Sequence, residues 1–180
     1  MSVEVLDRAR GETAIGPSSE QRATDSLHAS LETLMLRASE ARCGGPHTQL
    51  SVTTGWLRTV VGADRLVARW EAARWRLPGG SAGAPSTGTM IYCCRDLLAE
   101  DGWPDLSHAA SEIGVRSLLT CHVRVSQHSL VTLTCAHPEA GRFGHDELLA
   151  LVPIAVQAAA VVSQAERRKR SGPVGQSATD

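Results

Sequence analysis

Leu27, Leu31, Leu34, Ala38 and Ala41 recur at three- and four-residue intervals, with Met35 beside them and Arg22, Glu32, Arg37 and Glu40 off the stripe. That spacing predicts a helix opening near Ser19 and stopped by Gly44-Gly45-Pro46. Two short β-like runs follow, Gln49 to Thr54 and Leu57 to Val61, with Gly55-Trp56 as the turn between them. The segment ADRLVARWEAARW predicts a helix with Asp64 as its N-cap. From Leu77 to Gly88 the chain is loop chemistry, LPGGSAGAPSTG.

The second half repeats the theme. Thr89 to Arg95 predicts a strand, and LSHAASEIG predicts a short helix that Gly114 ends. Val115 to Val125 and Ser129 to Ala136 predict a hairpin turning near Gln127. The last helix, from about His145 to Arg168, is apolar on nearly every side. The order of elements predicts an α+β domain, an antiparallel sheet with helices on its faces. A closing helix without a polar face needs two partners. One is the sheet, and the other is the opening helix of this chain or of a second subunit. The expected organisation is a leader over 1–18, one domain over 19–170 and a tail over 171–180.

Composition narrows the function classes. Hydrophobic content is 42% and net charge is −1, which fits a globular domain and supplies no global field for nucleic acid. Only ERRKR, Glu166 to Arg170, is locally basic, and there it complements a helix C-terminus. The first residues mix charge and glycine and lack the apolar core of a secretion signal. The apolar run Leu148 to Val162 contains Pro153 and Gln157 and is short for a bilayer. The expectation is a cytoplasmic protein with no membrane or nucleic-acid partner. Its five cysteines are then free thiols.

The stretch GVRSLLTCHVRVSQHSLVTLTCA gathers Arg116, Cys121, His122, His128 and Cys135 on one hairpin. Strand parity sets Ser117, Leu119, Cys121, Val123 and Val125 on one face and Arg116, Leu118, Thr120, His122 and Arg124 on the other. Cys121 and His122 therefore point opposite ways, and no pair has zinc-ligand spacing, so no metal or other cofactor is expected. Cys121 and Cys135 read as small buried hydrophobes. For haem, His122 is the one residue worth testing. The glycine-rich loop lacks the G-K-[ST] of a phosphate cradle and reads as a lid.

Three segments carry a resemblance. LRTVVGADRLVARWEAARWRLPGGSA is similar to the second strand, following helix and glycine-rich loop of bacterial GAF domains. RDLLAEDGWPDLSHAASEIGVRSLLTCHVRV resembles them more strongly, through Trp103-Pro104 and Gly114-Val115-Arg116-Ser117. GRFGHDELLALV resembles their final helix start. The likeness spans Ser26 to Arg168 and is closest to the GAF domains that precede RNA-binding ANTAR domains in actinobacterial regulators. This chain departs from them at Pro78-Gly79-Gly80-Ser81-Ala82, where the family often has G-E-G-P-C, and at Cys121-His122, where it often has V-P. Ending at SGPVGQSATD, it has no room for an ANTAR segment, so a separate output or signalling protein is the expected partner.

The resemblance implies a GAF-like antiparallel sheet with the N- and C-terminal helices packed on one face. It also implies a small-molecule pocket roofed by Trp70 to Met90 and lined by Trp70, Trp75, Met90, Tyr92, Cys94, Trp103 and Arg116. Arg116 has a competing use, pairing with Asp96 or Asp105. The terminal helices are expected to form a homodimer interface through Leu27, Leu31, Leu34, Leu151, Ile154 and Val161, or to satisfy each other within one chain. The expected function is non-catalytic sensing of a small molecule or of a signalling partner. The alternatives are a thiol-based redox enzyme like the free methionine-R-sulfoxide reductases, using Cys93, Cys94 or Cys121, and a scaffold with a closed pocket.

Overall fold

A computed structural model describes residues 18–41, 47–55, 57–77 and 87–171. The expected leader up to residue 17, the tail from residue 172, the Gly44-Gly45-Pro46 stop, Trp56 and most of the glycine-rich loop lie outside these residues.

Helix α1 runs Ser19–Glu40, its first turn capped by Ser18, whose hydroxyl accepts from the Gln21 N–H. Strands β1 (Thr48–Thr54) and β2 (Leu57–Ala63) follow, then α2 (Arg65–Arg74), where Asp64 accepts from the Val67 N–H as the sequence predicts. Strand β3 (Thr89–Cys94) leads into a 3₁₀ turn at Leu97–Ala99. Helix α3 spans Pro104–Ile113, with proline at its first position, where no intrahelical N–H is needed. Gly114 ends it at φ 87°, a left-handed cap that a side chain would strain. Strands β4 (Ser117–Arg124) and β5 (Ser129–His137) form the hairpin, and α4 (His145–Ser171) closes the chain.

The five strands form one antiparallel sheet in the order β2-β1-β5-β4-β3. Helices α1 and α4 pack together on one face. Leu50, Val52, Leu119, Cys121, Val123, Val131, Leu133 and Cys135 meet them there. Each such aliphatic side chain taken out of water contributes about 1.5–3 kcal/mol. The other face carries α2, α3 and a smaller core of Val67, Trp70, Cys94, Leu97, Ala110, Val115, Leu118 and Ala136. The alternation on β4 thus divides the two layers as its parity predicts.

The closing helix finds both partners inside the chain. Its 27 residues are long and apolar enough to cross a membrane by length and composition, although the sequence reading judged the run too short. Leu151, Ile154, Ala155, Ala158, Ala159 and Val162 are buried in this fold. Leu31, Leu34, Leu151 and Ile154, expected at a dimer interface, are also buried, and Leu27 and Val161 pack against the same core. That apolar surface is used within one chain. What these two helices leave exposed is Leu36, Leu149 and Val156.

Candidate functional site

Strand register builds a wall on the α2–α3 side of the sheet. Met90 lies opposite His122, Tyr92 opposite Thr120, and Cys94 opposite Leu118. Because side chains alternate, Met90, Tyr92, Leu118, Thr120 and His122 share that face. Helix α2 adds Trp70 and Arg74, with Leu77 just beyond it, and the entry to α3 adds Gly102 to Leu106. Between them lies a cavity of about 560 Å³, within the range of small-molecule sites. Its walls are mainly apolar, and the Tyr92 and Trp103 rings sit 5.2 Å apart in a tilted pair.

Three residues lining the cavity each hold a buried polar atom without a hydrogen-bond partner. Trp70 is fully buried and Thr120 is 3% exposed, and among the described residues Trp70 Nε1, Tyr92 Oη and Thr120 Oγ1 are all unbonded. Buried polar groups are almost always paired, so three orphans beside one cavity are unusual.

Behind Arg74 lies a buried ion cluster. Glu71 is 1% exposed. It accepts from Arg58 Nη2 at 2.6 Å, from Arg74 Nε at 3.3 Å and Nη2 at 3.0 Å, and from Thr134 Oγ1 at 3.0 Å. Burial alone would raise its pKa, but Arg74, Arg58 and Thr134 outweigh burial and hold the carboxyl below its ordinary value. His122 is held neutral: burial first, then the Arg74 charge, pulls its pKa down to about 4. Its Nδ1 lies 2.9 Å from Thr132 Oγ1.

Of the seven residues expected to line a pocket, Trp70, Met90, Tyr92 and Trp103 do so. Trp75 does not. It lies half in solvent just past α2 and stacks against Arg58 and Arg74, ring centroid to guanidinium carbon 5.6 and 5.3 Å. Cys94 is buried in the smaller core with Sγ 3.4 Å from Glu100 Oε1. Arg116 precedes β4 and forms a two-point pair with Asp96, one of its two anticipated partners, so it supplies no guanidinium to the cavity. Of the expected roof, Trp70 to Met90, residues 78–86 lie outside the described residues. Sequence reasoning missed Arg74, Thr120 and the Glu71 cluster. A carboxylate on a mid-helix turn reads as a solvated face until Arg58, from another element, is brought over it.

Of the described cysteines, Cys94, Cys121 and Cys135 are buried and Cys93 is exposed. Burial pushes both Cys94 and Cys121 up to about 11, and burial followed by Glu147 raises Cys93. None is poised as a thiolate. Among the described residues no group of three His, Cys, Asp or Glu side chains is placed to hold a metal ion.

No family model matches this sequence, and no curated protein matches it. Solved structures do match. A Synechocystis GAF3 domain in its photoproduct state is 15% identical, covers 82% of this chain and 99% of its own, and superposes with a TM-score of 0.59. A domain of a Sinorhizobium meliloti protein assigned as a two-component sensor histidine kinase is 12% identical over 80% and 96%, with a TM-score of 0.57. The blue-light-absorbing form of the Thermosynechococcus elongatus PixJ GAF domain is 12% identical over 86% and 95%, with a TM-score of 0.53. At such identities the likeness is one of architecture: this chain is an α+β domain with a GAF fold.

Proposed function

We propose that this chain is a non-catalytic regulatory domain whose cavity between the sheet and α2–α3 receives a small molecule. The observation that carries the reading is that three lining residues, Trp70, Tyr92 and Thr120, each hold a buried, unpartnered polar atom beside an otherwise apolar cavity. A ligand with an acceptor facing the indole N–H relieves the desolvation cost of that group, about 1–3 kcal/mol. Raised thiol pKa values argue against the redox-enzyme alternative, and an open cavity argues against a scaffold with a closed pocket.

Occupancy acts as a population shift. β4 presents Thr120 and His122 to the cavity and Leu119, Cys121 and Val123 to the terminal-helix layer. Order imposed on one side of that strand is felt on the other. The resemblance to GAF–ANTAR regulators supports an actinobacterial, cytoplasmic protein that passes its signal to an output partner. The exposed Leu36, Leu149 and Val156 on α1 and α4 support a homodimer.

Native mass spectrometry of protein purified from its own host tests this reading. It predicts a mass excess that is lost on denaturation, at one ligand per protomer. Bare protomer mass in every preparation contradicts it.

A further inference from the structure

The charge on the cavity wall is uneven. Toward the Met90–His122 end stand Arg74 and, behind it, Arg58, two guanidiniums sharing the one carboxylate of Glu71. Arg124 on β4 acts on the same region: Arg74, Arg124 and Arg58 disfavour protonation of His122, against the opposing pull of Glu71. Around the Trp103 side of the cavity, α3 places Asp105 in its first turn, on the lining. Among the described side chains, two guanidiniums and one carboxylate thus stand toward one end of the cavity and a second carboxylate stands at the other.

The hydrogen-bonding groups point the same way. An indole N–H is a donor only, and a guanidinium offers donors only. Trp70 Nε1 needs an acceptor, and a carboxylate or sulfonate provides several. An ammonium ligand would leave the indole orphaned and would face two guanidiniums. The remaining walls, Trp103, Leu106 and Leu118, call for an apolar body, and the unbonded Tyr92 hydroxyl can donate as well as accept.

We infer that the cavity is selective for an organic anion, an apolar body bearing one oxyanion that lies at the Arg74–His122 end. This rests on the reading of the cavity as a ligand site and names the class of ligand. Arg74 keeps its Glu71 contacts, and the oxyanion is held by charge and by donors of the wall. Asp105 repels the same group from the Trp103 side and so fixes the orientation.

The test uses two fluorescent probes with the same ring system, the anion 1-anilinonaphthalene-8-sulfonate and the uncharged N-phenyl-1-naphthylamine. Simple apolar adsorption favours the uncharged probe. The inference predicts that the sulfonate binds at one site, about tenfold tighter than the amine. Arg74→Met weakens the sulfonate about tenfold and changes the amine less than about twofold. Because that variant strips a partner from Glu71, the pair Arg74→Met/Glu71→Gln is measured beside it, and Thr120→Val, which leaves the cluster intact, weakens the sulfonate as well. Equal affinity for the two probes, with neither changed by the Arg74 variants, overturns the anion selectivity and leaves the cavity reading standing. Sulfonate binding unaltered by all three variants marks surface adsorption and overturns the inference. Failure of both probes to bind overturns the cavity reading and the inference with it.

Discussion

Arg58 on β2 donates to Glu71 on α2 across 2.6 Å, joining an edge strand to the helix that walls the cavity. Arg74 holds the same carboxylate from within the helix, Thr134 reaches it from β5, and Trp75 stacks over both guanidiniums. A buried ion cluster of this kind adds little as a whole, but removing one member leaves charges uncompensated. Glu71→Gln is expected to cost about 3–5 kcal/mol, read as a lower urea midpoint with an unchanged slope.

Acid sensitivity follows from two groups of opposite type. Glu71 titrates below its ordinary value of 4.5 in the folded protein, so its contribution is present above that pH and is lost as pH falls through the folded pKa. His122 titrates near 4 when folded against 6.5 when unfolded, so the unfolded chain takes up a proton that the folded ring refuses. Stability is therefore expected to fall as pH drops from 6.5 toward 4, by up to about 1.4 kcal/mol per pH unit from this residue. Urea midpoints measured across that window check it, and His122→Gln should flatten the slope.

Gly62 holds φ 58°, and a Cβ built there would lie 2.8 Å from Met35 Cγ. A side chain at this position therefore requires the Met35 side chain to shift. Gly62→Ala is expected to cost about 1–2 kcal/mol for the left-handed backbone alone. The Met35 overlap adds to this, and Met35→Ala should recover that second part in a double-mutant cycle.

Thr120→Val replaces an orphaned hydroxyl by a methyl of the same shape. In ligand-free protein it is expected to raise stability by about 1 kcal/mol, because a buried unmet polar group is removed. Thermal unfolding of the two proteins decides the matter. A loss of stability would mean that the hydroxyl is bonded after all.

The thiols of Cys94 and Cys121 are expected to resist alkylation. With pKa values near 11, their thiolate fraction at pH 8 is about 100-fold below that of an ordinary cysteine. Timed iodoacetamide labelling read by mass spectrometry checks this. Rapid labelling at either site would revive thiol chemistry.

How much of this was written in the sequence depends on how local each cause is. The two-layer division of β4 was legible, because alternation along one strand needs no partner to be read. Helix α2 was legible from Asp64, a cap that acts within three residues. Trp70, Met90, Tyr92 and Trp103 were placed on the cavity through family likeness. Arg116 was misplaced because β4 begins only at Ser117, two residues later than the predicted start at Val115, and Asp96 reaches it first. Trp75 was misplaced because its backbone is still helical, so its ring lies about 100° round from Arg74, against the guanidiniums and not the cavity. The Glu71 cluster was illegible: its four side chains come from β2, α2 and β5, up to 76 positions apart. The terminal helices showed their apolar stripes but not which partner would cover them.

Hydrogen exchange of the whole chain, with and without saturating 1-anilinonaphthalene-8-sulfonate, tests the central claim most directly. The account predicts slower exchange in Met90–Cys94 and Leu118–His122, with a smaller change carried through to α1 or α4. Unchanged exchange in those two strands would contradict the site, and protected strands beside wholly indifferent terminal helices would contradict the sensor.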